Sequence, residues 1–324
     1  MRLGIFYGLL AGALWGIVFV VPKLLPDFGP LQVSAGRYIA YGLVSLAVLM
    51  PRARSVLSRL RMADVRALFS LSLSGNLVYY ILLAAAVRLV GVAPTSLIIG
   101  VLPVTITLVG SREHGALPFR RLVAPLATVL AGIVCINLDV FGGTTDGGPQ
   151  TGAALAGVVC AALALLSWTI FAVGNARYLR SQDRFSSNDW SVLWGLMSGV
   201  VGAFVWIFTM LVPAEWHGPL LIANPDAARW HEFVLVNLGL AIGASWLGNA
   251  LWNAASQRLP LTLSGQMIVF ETLFALLYGY VYAGRWPRGL EILAIVLLVG
   301  GVLWSVRVHA KAEKPDPLLQ AEHP

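Results

Sequence analysis

The chain has 324 residues, 58% of them hydrophobic and only 11% charged, with a formal net charge of +7. Soluble domains carry roughly 25% charged residues, so this composition excludes an ordinary water-solvated globule and predicts a surface solvated mostly by lipid. The basic residues are sorted loop by loop and form no single patch, which argues against a nucleic-acid partner.

Apolar stretches of roughly 20 residues, the length that crosses about 30 Å of hydrocarbon, predict ten transmembrane helices. They fall near 3–22, 30–50, 66–87, 91–110, 122–139, 151–173, 190–212, 232–255, 260–282 and 289–307. The alternating ten-residue segments of a membrane β-barrel are not evident. The expected fold is an all-α membrane protein.

The first span follows Arg2 and is longer than a signal-peptide core, with no small-residue cleavage site before the next span. It is therefore expected to be an uncleaved helix. Trp15 lies in it and Lys23 at its outer end suits an interfacial anchor. The second span carries Arg37, the one cation well inside a predicted span. It could hold a substrate carboxylate, pair with an acid, or snorkel outward to phosphate. The third contains Gly75-Asn76-Leu77-Val78-Tyr79-Tyr80. Asn76 and Tyr80, four residues apart, share one helix face, which Tyr79 extends. Pro94 and Pro103 fall in the fourth span, and Cys135 in the fifth. Cys135 and Cys160 suit buried packing better than a disulfide framework.

Residues 141–150 are Gly-rich and predict an extracytoplasmic linker between a first five-helix unit, 1–140, and a second, 151–309. Trp168 lies in the sixth span, where it could wall a cavity or sit in an interfacial belt. The eighth span holds Gly248-Asn249-Ala250-Leu251-Trp252-Asn253, matching the third-span segment, with Gln257 continuing its polar row. These amides and rings either line a cavity or make interhelical hydrogen bonds. The ninth span carries Gln266, a further candidate lining group, and Glu271 near the bilayer midplane. An acid there costs several kcal/mol unless it faces the bundle interior, pairs, or is neutral. It is a candidate proton- or cation-coupling carboxylate, the alternative being a carboxyl permanently hydrogen-bonded to a neighbouring helix. Glycines such as Gly300 and Gly301 in the tenth span suit close helix approach. Residues 310–324 are polar with three prolines and predict a disordered cytoplasmic tail.

The two units repeat collinearly. Trp15 aligns with Trp168, Asn76 with Asn249, and Ser96 through Pro103 with Ser264 through Glu271. Five spans per unit force the second copy to enter the membrane inverted, the signature of an inverted-repeat secondary transporter. In this arrangement the cluster Arg52, Arg54, Arg59, Arg61 and Arg66 shares one side with Arg112, Arg120, Arg121, Arg177, Arg180, Arg184, Arg258 and Arg307. The other side holds Lys23, Arg88, Arg229, Arg285 and Arg288. The asymmetry predicts cytoplasmic termini.

The first-span pattern Gly12-Ala13-Leu14-Trp15-Gly16, Pro30 followed by Arg37, and Ala93-Pro94-Thr95-Ser96-Leu97 leading to Pro103 resemble the drug/metabolite transporter superfamily, closest to its ten-helix EamA-type branch. The resemblance covers nearly the whole chain except the tail. It implies a secondary transporter of the bacterial plasma membrane, an exporter of small metabolites without a cofactor or metal. Glu271 departs from many relatives, which carry proline there as this chain does at Pro103. The expected lining, Trp15, Arg37, Asn76, Tyr79, Tyr80, Asn249, Trp252, Asn253, Gln266 and Glu271, suits amino-acid-like, aromatic or cationic compounds, with protons as a candidate coupling ion. A flippase for a lipid-linked sugar and a non-transporting scaffold are the competing functions for this fold. An intramembrane enzyme would need motifs the sequence lacks, and no Walker-type phosphate loop is present for ATP-driven pumping.

Overall fold

The computed structural model describes residues 1–90, 95, 98–112, 116–142, 151–213 and 227–312. The expected linker from 143 onward, the tail from 313, and most of the Ala93–Leu97 motif lie outside the described residues. All regular elements among the described residues are helical. Among the described residues, eight helical stretches are long and apolar enough to cross a membrane. In the regions of the expected fourth and fifth spans the described helices include Leu102–Gly110 and Phe119–Gly142.

In chain order, α1 is Arg2–Gly16, prolonged by a tighter 3-10 turn, Ile17–Val20, and a last α-helical turn, Val21–Leu24, and α2 is Pro30–Leu49. α3 (Met62–Ser72) passes through a π-helical turn, Leu73–Leu77, into α4 (Val78–Val90). α5 is Leu102–Gly110, α6 Phe119–Gly142, α7 Thr151–Arg180 and α8 Ser187–Leu211. α9 (Arg229–Leu240) likewise continues through π turns, Ala241–Leu247, into α10 (Gly248–Arg258). α11 (Leu261–Met267) and α12 (Val269–Ala283) form one span interrupted at Ile268, and α13 is Gly289–Ala312.

The helix ends follow local chemistry. Pro30 supplies a preset φ at the first position of α2, and the Gln32 side chain accepts the Gly29 N–H at 2.7 Å. Ser186 caps α8 by accepting the Asp189 N–H at 3.0 Å. α12 stops at Gly284, whose φ of 60° is the left-handed conformation glycine adopts without a Cβ penalty.

α2 packs along α8, α6 along α13 and α5 against α11. α1 lies between α10 and α12, while α7 lies between α4 and α5. The α2–α8 crossing is a backbone contact. A Cβ on Gly199 would lie 2.6 Å from the Gly42 Cα, so only glycine permits this approach. Outward faces carry exposed Leu155, Phe204, Leu211 and Val281, as expected of a lipid-solvated surface.

The last helix is longer than the apolar run near 289–307 suggests: α13 continues through Ala312, and His309 is buried. Its Nε2 meets the Thr262 hydroxyl at 2.8 Å and its Nδ1 the Ser305 carbonyl at 2.8 Å. Those partners satisfy a ring that hydrophobic patterning alone would place in water.

Candidate substrate chamber

Arg37 is buried on α2 at 7% exposure. Its Nε donates to Ser245 Oγ at 3.1 Å, and its guanidinium lies over the Tyr38 and Tyr80 rings at 5.3 and 5.4 Å. Cation–π contacts of this kind are worth more when water is excluded. The interaction with Ser245 exploits the π-helical turns linking α9 and α10. Such turns interrupt the regular i→i−4 ladder and recur at functional sites.

Glu271 sits in the first turn of α12, just beyond the break at Ile268. α1 reaches it because Gly12 lacks a side chain. A Cβ there would lie 2.8 Å from the Glu271 backbone nitrogen. The Glu271 side chain is partly exposed, and its carboxylate makes no hydrogen bond or ion pair among the described residues. Its backbone neighbour Gly12 lies three residues before Trp15 on α1. The two ionisable groups, Arg37 and Glu271, sit on different helices, α2 and α12, with no ion pair between them among the described residues.

An aromatic wall stands beside them. Trp15, Trp168 and Trp252 form a triangle, with ring centroids 5.2 Å apart for Trp15–Trp252, 6.1 Å for Trp15–Trp168 and 5.9 Å for Trp168–Trp252. Tyr79 adds a fourth ring, 6.3 Å from Trp168. Trp15 is fixed by its Nε1–H donating to the Ala244 carbonyl at 2.9 Å, again within the π turns. Trp168 is only 6% exposed, so an interfacial belt position does not describe it. The three indoles come from α1, α7 and α10, distant in sequence and joined only by packing.

Residues 2–138 match the EamA-like transporter family. The chain is 34% identical to Inner membrane protein YtfF of Escherichia coli (strain K12) over 324 residues, covering 96% of this chain and 97% of that protein. The chain belongs to the EamA-like transporter family. This EamA-like chain is also 24% identical over 291 residues to Uncharacterized transporter YoaV of Bacillus subtilis (strain 168), covering 90% of each. A crystal structure 22% identical to it superposes with a TM-score of 0.72 over 96% of this chain and 99% of the other, a likeness of fold alone.

The remaining polar candidates of this EamA-like protein occupy helix seams. Asn76 Nδ2 donates to Ser198 Oγ at 2.7 Å, and Asn249 Nδ2 to the Tyr41 hydroxyl at 3.4 Å. Asn253 is fully buried. Its Oδ1 accepts from Asn175 Nδ2 at 2.8 Å and its Nδ2 donates to the Ser187 carbonyl at 3.5 Å. Gln257 Oε1 accepts the Ser187 hydroxyl at 2.6 Å. Gln266 is fully buried, and neither of its amide atoms has a hydrogen-bond partner among the described residues.

Sequence reasoning missed Ser245 and Tyr38. Ser245 had a usable signal, since it lies four residues before Asn249 and extends that polar face by one turn. Tyr38 had none, because its value lies in touching Arg37, its chain neighbour, through the folded helix.

Proposed function

We propose that this EamA-like protein is a secondary transporter of small metabolites, built as two inverted five-helix repeats and working by alternating access around the chamber. The carrying observation is that the tryptophan triangle lies close to two intramembrane ionisable groups: Trp15 bonds Ala244, the chain neighbour of the Ser245 that holds Arg37, and Gly12, one turn before Trp15, abuts Glu271. Keeping two ionisable groups inside a membrane and leaving them apart is costly. A ligand bearing a carboxylate for Arg37 and an ammonium for Glu271 offsets that cost, and an amino-acid-like zwitterion has both. The aromatic wall also accommodates aromatic or cationic compounds through cation–π contact.

The pattern of helix contacts supports the repeat. The α1–α10 pair has its counterpart in α7–α4, and α2 against α9 has its counterpart in α8 against α3. Asn76 reaches Ser198 as its mate Asn249 reaches Tyr41. The first unit spans 1–140 and the second 151–309, joined by 141–150 and followed by the 310–324 tail. Arginine sorting supports cytoplasmic termini, and the name of the YtfF relative supports an inner-membrane location. Export is the direction favoured by the family resemblance, with Glu271 as the proton-coupling group.

The test is uptake of a labelled amino-acid panel into proteoliposomes under an imposed proton gradient, comparing the parent with Glu271→Gln. Gradient-driven accumulation is expected to vanish in Glu271→Gln, while exchange without a gradient persists at reduced affinity because the ammonium partner is lost. Equal gradient-driven accumulation in both would overturn the coupling role. Translocation of lipid-linked sugars in place of the soluble panel would favour a flippase.

A further inference from the structure

The register that carries Pro30, the first residue of α2, onto Ser187, the first residue of α8, also carries Gly42 onto Gly199 and Tyr41 onto Ser198. Gly42 and Gly199 touch each other at the crossing. Tyr41 and Ser198 receive the two matched asparagines. Continued backward, the same register places Asp27-Phe28 on Arg184-Phe185. These two matched positions carry opposite charges.

Asp27 accepts from Arg229 Nε at 2.7 Å, and Arg229 is the first residue of α9. Arg229 also donates to the Leu24 carbonyl at 2.8 Å and pairs with Glu232. Arg184 donates to Asp64 Oδ1 at 2.5 Å, and Asp64 lies in the first turn of α3. Asp64 further accepts the Tyr178 hydroxyl and the Arg61 N–H. Each clasp therefore ties the approach to one unit's second helix to the start of the other unit's third span. Each is backed by a buried phenylalanine. Phe28 packs on Phe233 and Trp230, at 4.4 and 5.0 Å, and Phe185 on Trp190 at 6.0 Å.

The clasps differ in strength. Asp27 and Arg229 are 45% and 27% exposed, so solvent screens them. Asp64 is fully buried and Arg184 is 23% exposed. That clasp is reinforced by Asp189, which pairs with Arg52 and Arg59 at 3.2 and 3.4 Å, and by Arg59 donating to the Arg184 carbonyl at 2.5 Å. A cleft of about 550 Å³ lined by Arg59, Gln182, Arg184, Ser186, Asp189 and Gln257 opens beside it.

We propose that the Asp27–Arg229 and Asp64–Arg184 clasps are the two gates of the carrier, one at each membrane face, with the gate on the arginine-rich side the tighter. This rests on the alternating-access reading. Separating the units at either end requires breaking the clasp there. A change of alternating access shifts populations by the free energy each gate contributes.

The experiment places a reporter, Tyr79→Cys, in a Cys135→Ser/Cys160→Ser background. The rate of labelling by a membrane-impermeant maleimide is measured from each side of oriented vesicles. Arg229→Gln is expected to speed labelling from the external side by up to about fivefold, the population shift available from one exposed ion pair. The paired change Asp64→Asn/Arg184→Gln, which leaves no unpartnered buried charge, is expected to speed labelling from the arginine-rich side and slow it from the other. The exchange Asp27→Arg/Arg229→Asp is expected to return external labelling toward the parent rate, which loss of fold would not do. If the parent reporter is reached from both sides but clasp variants leave both rates unchanged, or shift them in the same sense, the gate assignment falls and the carrier reading stands. Labelling from one side only in the parent and in every variant would remove alternating access itself.

Discussion

Gly300 and Gly301 are neighbours in α13, and the structure predicts opposite responses to alanine. A Cβ at Gly301 would lie 2.7 Å from Val129 Cγ2, 2.9 Å from the Pro125 carbonyl oxygen and 3.1 Å from the Val129 nitrogen. Carbon atoms in good contact sit about 3.5–4.0 Å apart. The α6–α13 seam must therefore open by roughly 1 Å, and two of the three obstructing atoms are backbone that cannot rotate aside. Overpacking of this kind costs about 1–3 kcal/mol. A Cβ at Gly300 meets nothing within 4 Å. Alanine there gains helix propensity, up to about 1 kcal/mol. Thermal unfolding of both variants in one detergent, followed by loss of folded monomer on size-exclusion chromatography, should give a lower midpoint for Gly301→Ala. Gly300→Ala should match or exceed the parent. Indistinguishable midpoints, or the reverse order, would refute the packing argument.

Three further outcomes follow from the same contacts. Arg37→Gln should weaken binding of a zwitterionic substrate by about 10- to 100-fold, the scale of one charge-assisted hydrogen bond. Arg37→Lys should recover part of it, as measured by calorimetry on purified protein, and equal affinity in all three forms would dismiss Arg37 as the carboxylate partner. Asp64→Ala strips Arg184, Tyr178 and the Arg61 N–H of a common acceptor. It should lose about 3 kcal/mol of stability, with Asp64→Asn losing less, both read from unfolding midpoints. Trp15→Phe keeps the aromatic volume but removes the donor to the Ala244 carbonyl, so its unfolding midpoint should fall by an amount corresponding to about 1 kcal/mol.

Much of the helical layout was legible because hydrocarbon is an exacting solvent. Every backbone polar group must be satisfied within the span, so long apolar runs such as 289–307 can only be helices. The helix starts at Pro30 and Ser187 also had local signals, a preset φ and a capping hydroxyl. The π turns at Leu73–Leu77 and Ala241–Leu247 had none, since no composition distinguishes them from ordinary helix. Arg37 and Glu271 stood out because charges within apolar runs are rare. Their separation did not, because it depends on how α2 and α12 lie across the bundle. Asn253 is a position where local spacing left two readings open. Its spacing from Asn249 marked a polar face, but the face meets Asn175 and Ser187 of neighbouring helices.

By itself, the sequence determined that this chain is a bundle of membrane-crossing helices, since that follows from hydropathy and span length. It also supplied the intramembrane charges and matched motifs that mark a transporter of the EamA-like kind. Only the tertiary structure decided which glycine of an adjacent pair is indispensable, which asparagines are consumed in seams, and that three tryptophans from α1, α7 and α10 meet. The reason is range. Solvation and capping act over one span or one turn, while packing contacts join residues as far apart as Trp15 and Trp252 and depend on interhelical distances no local pattern encodes.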